Sequence, residues 1–340
     1  MDVIEIDHLH KSYGSLSILQ DLSLRIAEGE VYGLIGGHGS GKSTLLHLLL
    51  GFLKPSAGRL RVLGTPDLET ARQRVGYMPE RMHYHLRFTA REYLRFLGQF
   101  SDMHGTWLRR RVDEQLHQVG LEHMADRKLS TFSKGMLQRL GIAQALLADP
   151  DVLLLDEPLG ALDATDQREL IDILTDLRAQ GHTVLVGSHY TDALAQLCDR
   201  VGILTEGTIV AETYIRILRQ PGGSVRLQVD RLTPGMRLHL SHLAPNISCS
   251  EQRITIQHNT PDLQARVLRT LLDAGIALLA LEPLEHPLEQ FYLRALHQTE
   301  ASHHPSGHHE PHEPEKNDPL LDSLLLGEAE DRQSQARRDD

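Results

Sequence analysis

The stretch "GLIGGHGSGKST", residues 33–44, decides the fold. Apolar residues lead into it as a strand would, and "LLHLLLGFL" continues it as a helix would. Between them, Gly36, Gly41, Lys42 and Ser43 stand at the defining positions of a phosphate-binding P-loop. Glycines let the backbone wrap closely and aim N–H groups at phosphate oxygens. The helix that opens at Lys42 presents its positive end to the same anion. The candidate nucleotide-binding residues are therefore Gly36, Gly37, His38, Gly39, Ser40, Gly41, Lys42, Ser43 and Thr44. Lys42 is placed to reach the β- and γ-phosphates, and the Ser43 hydroxyl to ligate Mg²⁺. A chance glycine turn has no need of a strand before it and a helix after it.

Two further segments end strands in polar residues. "DVLLLDEP" (151–158) is apolar until Asp156 and Glu157, which places both acids at the C-terminal edge of a buried strand. Open α/β sheets bind ligands at that edge. Asp156 suits a role in holding Mg²⁺, and Glu157 is the candidate base that orients the attacking water. The alternative is a capping pair for the next helix. "TVLVGSH" (183–189) ends a second strand at His189, on the same edge. A histidine there can bridge a γ-phosphate and the water-activating acid. Taken alone it would read as an ordinary capping residue, since the chain has 21 histidines.

The rest of the pattern supplies context. "VIEIDHL" and "LSLRIA" read as strands, and residues from about 82 to 150 as charged helices such as "AREYLRFLGQF" and "WLRRRVDEQLHQVGL". "ATDQRELIDILTDLRAQG" is an amphipathic helix closed by Gly181, and "RVGILTEGTIV" a hairpin turning at Glu206-Gly207. Strands alternating with helices indicate a parallel sheet covered on both faces. A boundary is expected at "RQPGGS" (219–224). Beyond it "SVRLQVD", "MRLHLS" and "ISCSEQRITIQ" read as strands, and "PDLQARVLRTLLDAG" as a helix with Leu263, Val267, Leu268, Leu271 and Leu272 on one face. "IALLALEPL" is a last strand and "PLEQFYLRAL" a last helix. The expected organisation is an α/β nucleotide-binding domain at 1–220, a small α+β module at 222–298, and a disordered His- and acid-rich tail at 299–340.

Composition excludes several classes. The net charge of −11 argues against a nucleic-acid partner bound by bulk electrostatics. Much of it lies between Glu300 and Asp340, which hold eleven acids against four bases. Two cysteines make neither a disulfide framework nor a Cys-based metal site and fit a reducing compartment. The acidic, alternating start is unlike a signal peptide. The longest apolar run, "LLHLLLGFL" at 45–53, is too short to span a bilayer. The expectation is a soluble chain that depends on another polypeptide for any membrane spans.

One segment remains unexplained by these motifs. "TFSKGMLQ" (131–138) has no acid, histidine or cysteine, yet lies between the P-loop and the paired carboxylates. The ordered set of motifs resembles the ATPase subunits of ABC transporters over residues 1 to about 220. "FSKGMLQRLGIAQALLADP" matches the signature of that family, "VGYMPE" (75–80) its Mg²⁺-ligating loop, "LGALD" (159–163) its partner-contact loop, and "GSH" its switch histidine. The resemblance implies that Tyr13 stacks on adenine and that Glu80 helps hold Mg²⁺. It implies ATP and Mg²⁺ as cofactors, ATP hydrolysis with Lys42, Glu157 and His189 as catalytic residues, and two copies or paired ATPase domains working head to tail. Ser133 and Gly135 would then hold the γ-phosphate of the partner's ATP, a task for a hydroxyl, a small residue and free N–H groups. Ser133 equally reads as the N-cap of its helix. The remaining implied partner is a polytopic membrane permease, with the chain peripheral on the cytoplasmic face of a bacterial inner membrane.

Departures from the family pattern are Lys134 and Met136 for glycine and glutamine in the signature, Glu80 for glutamine, His38 for asparagine and Gly160 for serine. Glu80 still offers a hard oxygen donor. "GYMPE" and "SKGM" resemble a bacterial branch that serves exporters of the ABC-2 type. The ending "PLEQFY" (287–292) resembles the C-terminal module of that branch. The layout is also similar to the ATPase of the transporter that assists copper-site assembly in nitrous-oxide reductase. The tail "HHPSGHHEPHEPE" (303–315) reads first as solvated and disordered, with loose Cu²⁺, Ni²⁺ or Zn²⁺ binding by its five histidines as the alternative. Rival functions are a non-transport ATPase of the same fold, acting in translation or DNA repair, and a small-molecule kinase. Only 114 positions separate Lys42 from Asp156, which leaves no room for the long coiled coil of repair ATPases, and a kinase has no use for the signature.

Overall fold

The computed structural model describes residues 1–303 except 161, 190, 219–222, 285 and 286. Its centre is a six-stranded sheet in the order β5-β6-β7-β3-β8-β9. The strands are β3 (Val31–Ile35), β5 (Val75–Met78), β6 (Val152–Asp156), β7 (Thr183–Ser188), β8 (Arg200–Thr205) and β9 (Thr208–Tyr214). The first five run parallel, and β9 returns antiparallel to β8. Its turn is Glu206-Gly207, both at positive φ, the geometry that tight hairpins favour.

Strand alternation divides these side chains between two cores. Val31, Ile35, Leu153, Leu155, Val184 and Val186 enter one cluster. Tyr32, Leu34, Val152, Leu154 and Leu185, one position out of phase, enter the other. The first cluster also holds the helices α3 (Ala90–Phe100), α4 (Gly105–Gln118), α5 (Lys134–Leu146), α6 (Ala164–Ala179) and α7 (Thr191–Leu197). The second holds α1 (Lys42–Leu49) and a separate antiparallel sheet, β2-β1-β4, made of β1 (Asp2–Tyr13), β2 (Leu16–Ala27) and β4 (Ala57–Val62). That second sheet is not separable from the first by periodicity, since both read as strands. Short helices α2 (Leu68–Arg72) and α8 (Ile215–Leu218) complete the region. Gly76 lets β5 lie directly on α5, because a Cβ there would run into the Ala145 carbonyl.

Beyond residue 222 a four-stranded antiparallel sheet, β11-β12-β10-β13, has its own cluster centred on Leu227, Ile254, Ile256, Val267 and Leu271. Its strands are β10 (Val225–Val229), β11 (Ile247–Ser250), β12 (Arg253–Ile256) and β13 (Leu278–Pro283). The segment "MRLHLS", expected as a strand, is part of helix α9 (Pro234–Leu243). Thr233 caps it by accepting the Met236 N–H, and Pro234 sits in its first turn, where a missing N–H costs nothing. In α10 (Pro261–Asp273) Val267 and Leu271 are buried, whereas Leu272, expected on the same face, is exposed. The last helix, α11 (Pro287–His303), returns Leu288 and Ala295 to the first cluster. It runs to His303, whereas the sequence reading ends the helix at Leu296 and expects a disordered tail from residue 299. By chain contacts the protein divides into Met1–Thr299 and Glu300–Asp340. Residues 219–222 of the expected boundary, the expected tail beyond His303 and four of the five histidines of 303–315 lie outside the described residues.

Candidate functional site

Four loops leave the C-terminal ends of adjacent parallel strands and meet. They are the P-loop after β3, Glu80 after β5, Glu157 after β6 and His189 after β7. The P-loop closes tightly. A Cβ on Gly36 would lie 2.6 Å from the Leu204 carbonyl, and one on Gly41 would lie 2.7 Å from the Leu19 side chain. Gly41 also sits at φ 109, where a side chain is strained. No side chain caps α1, whose first N–H groups therefore face the loop.

Lys42 is buried and folds back over the loop. Its Nζ donates to the carbonyls of Gly36 (2.6 Å) and Gly37 (3.0 Å) and lies 3.4 Å from Glu157 Oε1. The other oxygen of Glu157, Oε2, is 2.9 Å from His189 Nδ1 and accepts the His189 main-chain N–H at 3.4 Å. Glu157 is 8% exposed, and its main chain occupies φ 50, a strained region for a residue other than glycine. Its N–H donates to Gly187 O (2.8 Å), which fastens the loop after β6 to β7. The His38 ring stands 5.1 Å from that of His189.

Asp156 is 2% exposed. Burial pushes its carboxyl above the usual range; a hydrogen bond from Ser43 opposes this, Glu157 and Glu80 reinforce it, and Lys42 opposes it. Its Oδ1 is buried without a hydrogen-bond partner. An orphaned carboxylate oxygen beside a hydroxyl, close to a second acid, is the donor set a hard cation takes. Ser43, Asp156 and Glu80 thus fit Mg²⁺. Together with Ile18, the loop from His38 to Thr44, Glu80, Asp156 and Glu157 line a cavity of about 230 Å³. Ile18 carries no motif, and only its position opposite Gly41 reveals it.

Tyr13 ends β1 and is half exposed, with Lys11 Nζ 4.8 Å from its ring centroid. Ser133 caps α5 by accepting the Met136 N–H at 3.1 Å. Gly135, two residues on, is buried, and a Cβ there would run into the Asp166 carboxylate of α6. Lys134, Leu137 and Gln138 of the same turn share a second cavity, of about 660 Å³, with Glu80, Glu157 and His189. Gln138 was not singled out from the sequence. It is buried and donates to Pro158 O (3.0 Å), tying α5 to the loop that carries Glu157. A glutamine on the apolar side of a helix was the available signal.

A glycine cradle, a lysine and paired carboxylates at the mouth of a parallel sheet define a P-loop nucleoside-triphosphatase. Residues 19–160 match the ABC transporter family model. An uncharacterized ABC transporter ATP-binding protein of Synechocystis sp. is 35% identical over 283 residues, 82% of this chain and 78% of that one. The Nod factor export ATP-binding protein I of Rhizobium meliloti is 36% identical over 300 residues, 86% of this chain and 87% of that one. A dimeric ATP-binding cassette solved in a post-hydrolysis state with ADP and Pi superposes with a TM-score of 0.57 at 29% identity, covering 63% of this chain and 99% of the cassette. The chain belongs to the ATP-binding subunits of ABC transporters. No described helix is long and apolar enough to cross a membrane.

Proposed function

We propose that this chain hydrolyses ATP to drive an exporter-type ABC transporter, working as a pair of copies against a polytopic membrane subunit. The observation that carries the reading is Glu157, buried at a strand end between Lys42 (3.4 Å) and His189 (2.9 Å). The P-loop N–H groups and Lys42 bind the β- and γ-phosphates. Glu157 orients the attacking water and takes its proton, and His189 positions that carboxylate. Ser43, Asp156 and Glu80 would hold Mg²⁺, which would neutralise charge on the phosphates. Tyr13 supplies a face for adenine. Ser133 and Gly135 face the partner copy's nucleotide with an open helix end. Support for export comes from the Nod factor export relative, whose likeness covers 86% of this chain. Support for a separate ATPase domain at 1–220 comes from the solved cassette, which matches 63% of the chain. The narrower link to copper delivery rests on sequence layout alone.

The membrane partner has a candidate seat. Tyr77, Leu97, Phe100, Met103, Trp107 and Ala145 are among the walls of a cleft of about 810 Å³ beside β5, with Phe100 74% and Trp107 45% exposed. Exposed aromatics rimmed by polar residues suit an amphipathic helix of the permease. Phe100→Asp is expected to abolish co-purification with the polytopic membrane subunit while changing the ATPase rate of the isolated chain by less than about twofold. Undiminished co-purification would remove the cleft from the interface. Failure of the unsubstituted chain to recover any polytopic partner, with ribosomes or DNA recovered instead, would overturn the transport reading.

A further inference from the structure

The loop that carries Glu80 is fastened at both ends to elements that handle phosphate. Before it, Tyr77 Oη lies 3.2 Å from His47 Nε2 on the P-loop helix. After it, Tyr84 Oη donates to the Leu137 carbonyl at 2.6 Å. Leu137 belongs to the first turn of α5, the turn whose Ser133 and Gly135 are offered to the other copy. Tyr84 is held in place rather than merely lying there. Its ring stands edge-on to Tyr93 at 5.3 Å, and Tyr93 Oη contacts Gln144 Oε1 on the same helix at 3.0 Å. Gly141 makes the approach feasible, because a Cβ there would stand 3.1 Å from the Tyr84 hydroxyl and 3.3 Å from Met78. Glu80, Tyr84, Leu137, Gln138, Glu157 and His189 wall one cavity, so the contact spans the site itself.

We propose that Tyr84 is a positioning residue which couples the state of the chain's own Glu80 loop to the pose of the helix end it lends to its partner's ATP. This rests on the paired-ATPase reading. A helix carbonyl has a second lone pair, so the Tyr84 hydroxyl bonds Leu137 without breaking the helical ladder. A short hydrogen bond between a four-residue reach of loop and a helix terminus transmits displacement, since neither the packed ring nor the helix deforms continuously. A displacement of the Glu80 loop would then be passed to Ser133 and Gly135. Each copy thereby presents its signature turn according to the occupancy of its own site, and hydrolysis becomes cooperative between two sites.

The test uses the purified full-length chain with Tyr84→Phe, Gly141→Ala, Glu80→Ala and the Glu80→Ala/Tyr84→Phe double variant. Removing one hydroxyl from Tyr84 leaves its ring packing and the α5 ladder intact. Tyr84→Phe is expected to lower kcat about tenfold, to bring the Hill coefficient for ATP toward 1, and to leave ADP affinity and the thermal midpoint unchanged. Gly141→Ala, which crowds the hydroxyl from the other side, is expected to reproduce the loss of kcat and of cooperativity. In the double variant the two losses overlap instead of multiplying. Unchanged kcat and Hill coefficient in Tyr84→Phe, or losses that multiply in the double variant, would overturn the proposal. So would a parallel fall in ADP affinity and thermal midpoint, which marks a structural residue only. Failure of the paired-ATPase reading would show already in the unsubstituted chain, as absence of ATP hydrolysis or of cooperativity.

Discussion

Glu157→Gln should bind ATP and pair with a second copy, yet release phosphate about 10²–10⁴-fold more slowly than the unsubstituted chain. Glutamine matches the carboxylate in volume and keeps an oxygen for His189, but it cannot accept a proton from water. The substitution also removes the charge that holds Lys42 at 3.4 Å. Lys42 is then attracted only to the Gly36 and Gly37 carbonyls, and the phosphates compete for it more easily. ATP affinity is therefore expected to hold or rise. Phosphate release under saturating ATP, with size-exclusion chromatography in ATP and in ADP, measures both halves. Full turnover in this variant would remove Glu157 as the base and return the choice to His189 or to water alone. Loss of ATP binding would instead show that the carboxylate serves the fold of the loop.

The second large effect has two opposite signs. Asp156→Asn should abolish Mg²⁺-dependent hydrolysis and, in the absence of nucleotide and metal, make the protein more stable. Burial raises the Asp156 carboxyl above its unfolded value, so the unfolded chain gives up this proton at lower pH than the native one. Stability contributed by this group is present below the unfolded pKa and is lost as pH rises through the folded value. Ionising Asp156 in the native protein thus carries a net cost that the Ser43 hydrogen bond and Lys42 only partly offset, and Oδ1 has no hydrogen-bond donor. Asparagine removes the charge at nearly constant volume. The thermal midpoint should rise by about 2–4 °C for each kcal/mol gained, and the gain should vanish when pH is lowered toward 4. Saturating Mg²⁺ and nucleotide should stabilise the unsubstituted chain but not the variant. A lower midpoint for Asp156→Asn at pH 7 would mean that the carboxylate is already compensated, and the orphaned oxygen would lose its meaning.

What the sequence made legible is what local chemistry dictates. The P-loop between β3 and α1, the apolar β6 ending in Asp156, and the Glu206-Gly207 turn each declare themselves within about ten residues. "MRLHLS" misled because Met236, Leu238 and Leu240 alternate like a strand, while Thr233 and Pro234 outside the run start a helix. Leu238 on that helix is 60% exposed while Leu240 is fully buried, so the alternating residues do not share one buried face. The separate β2-β1-β4 sheet was hidden for another reason, since pairing between strands leaves no mark on the alternation within one. Contacts such as Gln138 to Pro158 and Tyr84 to Leu137 join positions 20 and 53 apart, and only packing brings them together.

The left-handed backbone at Glu157 has a consequence for how such a chain changes over generations. At φ 50 the fold would be better served by glycine or asparagine, which accept that conformation at little cost. The proposed base therefore stands on a backbone its residue type disfavours, held there by the contacts of its carboxylate with Lys42 and His189. Where a transporter is built from two unlike copies of this chain, this position is the one at which a copy relieved of hydrolysis would first diverge, keeping its grip on phosphate while giving up the carboxylate.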